Sequence, residues 1–142
     1  MEDKVFGEMQ FNVGWCKIEA ITLWGNRYYF KIRTSSAITE KPSETQQQAY
    51  LSFKENLNEI SEKSLAPVND FLSDNIDEIL EEFGQPLPLA LTDLLIPNQV
   101  LFFKNGKTAI IFDVAWTDEN VVILLEGESI KVDYGYILEG EL

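Results

Sequence analysis

A chain of 142 residues, 45% hydrophobic and 12% aromatic, is long and apolar enough to bury a core and lies far from the composition of a disordered polypeptide. It has no histidine and a single cysteine, Cys16, which excludes Ser-His-Asp, Cys-His and His-zinc sites as well as any intrachain disulfide. The net charge of −13 belongs almost wholly to the second half: residues 1–65 hold nine acids and eight bases, residues 66–142 fifteen acids and three bases.

The stretch from Met9 to Thr34 is rich in β-branched and aromatic residues and predicts strands, with Gly25-Asn26 as a hairpin loop. In its second strand Tyr28, Phe30 and Ile32 share one face, and Arg27, Tyr29, Lys31 and Arg33 the other. After a polar stretch, Pro42-Ser43 predicts a helix start, and Ala49, Tyr50, Phe53, Leu57 and Ile60 fall on one side of a helix over 43–63. Pro67 fits the first turn of a second helix, in which Val68, Leu72, Ile76, Ile79, Leu80 and Phe83 form the apolar side and Gly84 the stop. A proline-punctuated connection over 85–91 and one helical turn near Thr92 follow. The β pattern resumes at 100–103, turns at Asn105-Gly106, and continues through 109–114, 121–125 and 129–134. The unbroken apolar runs at 109–112 and 121–125 predict central strands covered on both faces. The expected architecture is one α+β domain over 1–142: an antiparallel sheet built from N- and C-terminal meanders, with two helices inserted between them and packed on one face.

No glycine pattern of a phosphate-binding loop occurs, and no cofactor is expected. Cys16, inside a predicted strand, reads as a small buried hydrophobe. Asp113, Asp118, Glu119 and Asn120 could supply oxygen ligands to a hard cation, and a carboxylate- or metal-dependent hydrolase would have to be built there, but an acid-rich turn between strands needs no metal. The expected reading is therefore no catalytic and no metal site. Arg27, Tyr29, Lys31 and Arg33 superficially resemble a nucleic-acid platform; against a net charge of −13 the expectation is that this face packs near helix acids or meets water.

The second helix carries the sharpest surface feature. Asp70, Asp74, Asp77, Glu78, Glu81 and Glu82 gather opposite its apolar side, and residues 66–83 contain no lysine or arginine. Like charges four residues apart repel, so a face of this kind is either a plain solvated surface or a docking ridge for a cationic partner. Such a field repels nucleic acid and anionic membrane. No apolar run approaches the length of about 18 residues needed to cross a bilayer. The opening MEDKVFGEMQ lacks the apolar core of a signal peptide, so a cytoplasmic location is expected.

Phe6–Phe11 (FGEMQF), Gly14-Trp15, Tyr50–Asn56 (YLSFKEN) and Ile110–Asn120 (IIFDVAWTDEN) together resemble a family of small bacterial domains of unknown function with an FG…GW opening and a closing FDxxW strand and turn. The resemblance spans roughly residues 6–125. It implies that Trp15, Phe112, Asp113 and Trp116 hold the fold together, and it names no catalytic residue. Some members of that family are associated with toxin and immunity loci. The implied function is an immunity-type protein that neutralises a cognate cationic toxin, such as a nuclease, through the six acids of the second helix. A regulatory or phage-borne interaction module is the alternative.

Overall fold

The computed structural model describes residues 1–84, 87–88 and 90–141. A short hairpin of β1 (Glu2–Asp3) and β2 (Gly7–Glu8) precedes a seven-stranded sheet whose strands lie in chain order. These are β3 (Gln10–Phe11), β4 (Trp15–Leu23), β5 (Asn26–Thr34), β6 (Ile96–Phe102), β7 (Thr108–Asp113), β8 (Val121–Glu126) and β9 (Ser129–Tyr134). Three helices connect β5 to β6: α1 (Glu44–Glu55), α2 (Leu57–Asp74) and α3 (Ile76–Phe83). One 3-10 turn, Leu91–Leu94, precedes β6 where a helical turn was expected, and another, Gly135–Leu138, follows β9. The fold is thus mixed α+β on a mostly antiparallel sheet. The expected antiparallel pairing fails at one place: β5 and β6 run parallel, because a connection through helices returns the chain to the same end of the sheet.

Helices and sheet meet over one large core. Ile21, Leu23, Phe30, Ile32, Val100, Phe102, Ile110, Phe112, Val121 and Ile123 supply the sheet side, and Tyr50, Phe53, Val68, Leu72 and Ile79 the helix side. A smaller cluster lies on the opposite face, where Leu101, Phe103, Ala109, Ile111, Val122 and Leu124 pack with Ile137 and Leu138 of the closing turn. Strands β6, β7 and β8 are therefore covered on both faces, as their continuous apolar runs require. Strands β4 and β5 keep one face open.

Two helix boundaries differ from those expected. Helix 43–63 ends at Glu55, and Pro67 does not begin a helix but lies eleven residues into α2. The breaks fall at Asn56 and Asn75, whose backbones leave helical geometry at φ −101° and −106°. Each asparagine turns its amide back onto a carbonyl four residues earlier: Asn56 Nδ2 donates to Ser52 O and Asn75 Nδ2 to Phe71 O. That local bond competes with the helix ladder and bends the chain without unwinding it. Ser43 caps α1 with a full capping box, its hydroxyl accepting from Gln46 N while Gln46 Oε1 accepts from Ser43 N. The buried Gln46 also donates to Phe102 O, tying the helix start to β6. The expected connection over 85–91 lies partly outside the described residues, at Gln85, Pro86 and Leu89.

The β4–β5 turn is centred on Trp24-Gly25 rather than Gly25-Asn26, with Leu23 paired to Asn26. Trp24 takes φ +52°, which costs a bulky residue energy, and α2 holds it there: Trp24 N donates to Ser61 Oγ and Nε1 to Ser64 Oγ. Its ring stacks on Phe112. Gly14 has φ +114°, and a Cβ there would stand 2.1 Å from Thr34 O, so only glycine fits. Cys16 is a buried free thiol in β4, as expected.

Candidate functional site

All six acids of the expected ridge are exposed: Asp70 and Asp74 on α2, Asp77, Glu78, Glu81 and Glu82 on α3. The ridge therefore spans two helices, not the single one read from periodicity. The bend at Asn75 keeps the ladder nearly continuous, since Ile79 N still donates to Asn75 O. None of the six carboxylates forms an ion pair among the described residues. Neither helix has a basic residue in its last turn, where the dipole would favour one, and Asp74, Glu81 and Glu82 occupy those turns instead.

Aromatic side chains border the ridge. The Tyr134 hydroxyl lies 3.4 Å from both Glu78 Oε2 and Asn75 Oδ1, accepts from Trp116 Nε1 at 3.0 Å, and its ring packs edge-on against Phe71. Burial first, and then the nearby Glu78 and Glu119 carboxylates, raise the Tyr134 phenol above its ordinary pKa, against a lowering by the Trp116 bond. The exposed Tyr136 donates to Asp133, and that bond is the main reason its own pKa is raised. Both phenols stay neutral donors in this negative field. Strand β9 thus places Tyr134 beside Glu78 of α3 and near Glu119 of the β7–β8 turn, and the 3-10 turn after it places Tyr136 beside Asp133. Sequence reading missed this border, because only the sheet order brings Tyr134 to Glu78.

The second carboxylate cluster is organised differently. Asp113 Oδ1 accepts from Asn98 Nδ2 and from Asn120 Nδ2, and Asn120 also donates to Phe112 O, so these side chains close the β7–β8 loop on itself. No group of three or more potential ligands is placed to hold a metal ion among the described residues. Of the two alternatives expected for the basic strand residues, contact with helix acids or with water, the structure has the second. Arg27, Tyr29, Lys31 and Arg33 lie on the open face of the sheet, away from the helix acids, because their neighbours Tyr28, Phe30 and Ile32 fill the helix-side core.

One further carboxylate is engaged internally. Burial works to raise the Glu19 pKa, but the Tyr50 hydroxyl bond and the Lys17 and Lys54 ammonium groups, each 3.1 Å away, outweigh it and hold the carboxyl below its ordinary value. The Tyr50 phenol is raised, first by its own burial and then by Glu19. A groove of about 410 Å³ opens beside the Asn56 break, with Phe53, Ile60, Leu125 and Ile130 on its floor and Lys63 and Glu128 at its rim.

No protein-family model, no curated protein and no solved structure matches this chain. No helix among the described residues is long and apolar enough to cross a membrane.

Proposed function

We propose that this protein is a non-catalytic binding protein of the immunity type, which docks its acidic ridge onto the cationic cleft of a cognate toxin. The observation that carries the reading is the set of six exposed carboxylates without an ion pair among the described residues, of which Glu81 and Glu82 lie in the last turn of α3, where the dipole disfavours negative charge. The arrangement lowers the stability of the isolated protein, and a cationic partner would relieve it. Tyr134 and Trp116 at the border add aromatic anchors of the kind that dominate interface energetics. Complementary charge would speed the encounter and make it salt-sensitive. A nuclease is the toxin class whose active-site cleft is cationic for chemical reasons, since it must hold phosphates.

The test begins with affinity purification from the source cell on tagged wild-type protein, with the Asp74→Lys/Glu78→Lys variant as control. The proposal expects one dominant basic partner, encoded beside this gene, that binds 1:1 and is toxic when expressed alone. A partner retained equally by the variant would remove the ridge from the account. A non-toxic partner captured through the ridge would leave the surface in place and replace the immunity reading by that of a regulatory module.

A further inference from the structure

The open face of β4 and β5 carries the opposite charge to the ridge and lies on the other side of the sheet. Arg27, Tyr29, Lys31 and Arg33 stand across from Thr22, Ala20, Ile18 and Cys16. None of the three cations is in an ion pair among the described residues. Arg33 donates to Gln99 through Nη1, while its buried Nε has no partner there. The Arg27 guanidinium rests over the Tyr29 ring, and Tyr29 and Ile18 are 61% and 67% exposed.

This face adjoins an open strand edge. Strand β3 pairs only with Trp15 and Cys16, so β4 runs from Lys17 to Leu23 as the edge of the sheet. Leu23 and Asn26 flank a two-residue turn, which directs the backbone groups of the odd-numbered residues of β4 toward β5. The amides and carbonyls of Ile18, Ala20 and Thr22 therefore point outward, with their side chains on the same face as the cations. Edges are ordinarily blunted by proline, a bulge or charged side chains; here the charges of the edge, Lys17 and Glu19, pair with each other and with Lys54 on the helix side, and the positions whose backbone groups point outward hold isoleucine, alanine and threonine. Ala20 and Thr22 are short enough for side chains from β5 to reach over them. Lys31 lines, together with Glu8, Gln10, Lys17 and Ile18, a cavity of about 400 Å³ where β3 stops.

We propose that the β4 edge accepts an extended acidic segment of a partner protein as an added strand, its carboxylates facing Arg27 and Lys31. Only a polypeptide can complete the outward amide and carbonyl ladder, which separates this occupant from nucleic acid. The net charge of −13 also opposes a polyanion far more than a short segment with a few carboxylates, since the ridge lies across the sheet and screening acts within about 8 Å at physiological salt.

The probe is a capped peptide of alternating aspartate and valine, long enough to span residues 17–23, followed by amide chemical shifts and fluorescence anisotropy. The expected result is saturable, salt-weakened binding that shifts the amides of Ile18, Ala20 and Thr22. The Arg27→Glu/Lys31→Glu variant should bind about tenfold more weakly, as for two solvent-accessible charge contacts. The same peptide N-methylated at alternate residues should not bind. Absence of saturable binding at millimolar peptide, or equal binding by the N-methylated form, would overturn the proposal. So would tighter binding of an oligothymidylate that displaces the peptide, since the face would then be a site for polyanions.

Discussion

Replacing Asp74 with lysine should make the isolated protein more stable, although it lies at the centre of the proposed docking ridge. Asp74 ends α2 and has an acid four residues away on either side, Asp70 and Glu78. Each like-charge pair costs about 0.2–0.5 kcal/mol and becomes an attraction of similar size on reversal. Discounted for solvent screening, the sum is about 1 kcal/mol at low salt, or about 2–4 °C in Tm for a chain of this length. Thermal and urea unfolding at low and at molar ionic strength would measure it, with most of the gain disappearing at high salt as the Debye length falls to about 3 Å. An unchanged or lowered Tm at low salt would refute the reasoning, because the repulsion would then already be offset within the protein.

Other consequences concern the frame that holds the two surfaces apart. Glu19→Gln should cost about 1–2 kcal/mol at neutral pH through the weakened Tyr50 bond and lost ion pairs. Because the folded-state pKa of Glu19 is lowered, its contribution is full above the unfolded value of about 4.3 and is lost as pH falls through the folded value. The stability gap between variant and wild type should therefore narrow below about pH 4, and a gap that is constant with pH would contradict the assignment. Gly14→Ala should prevent folding or cost more than about 3 kcal/mol, read by circular dichroism, since its Cβ would collide with Thr34 O; near-native stability would mean that the turn has another geometry. Phe112→Ala should cost about 3–5 kcal/mol, because Trp24, Tyr28 and Phe30 all pack on that ring; a loss below 1 kcal/mol would place the core elsewhere.

What could be read from the sequence was what depends on local period. Val68, Leu72 and Ile79 repeat at helical spacing and are buried, and the six acids opposite them are exposed for the same reason. Residues 109–112 and 121–124 are apolar without alternation and sit in strands covered on both faces. What was not legible depends on competition or on long-range order. Asparagines 56 and 75 break the helices through side-chain bonds that propensity alone does not reveal, while Pro67 is carried inside α2. The turn moved by one residue because α2 supplies Ser61 and Ser64 to hold Trp24 in a conformation it would otherwise avoid. The parallel β5–β6 pair, the Tyr134 border of the ridge and the open β4 edge all follow from strand order, which no local pattern encodes.

The most direct test of the ridge as a docking surface is the association rate constant of the captured partner with wild-type protein and with Asp74→Lys/Glu78→Lys, measured by stopped flow across a range of salt. The wild-type rate should fall steeply as salt rises, and the variant rate should be at least about tenfold lower at low salt and scarcely respond to it. Equal rates with equal salt dependence would contradict this role of the ridge.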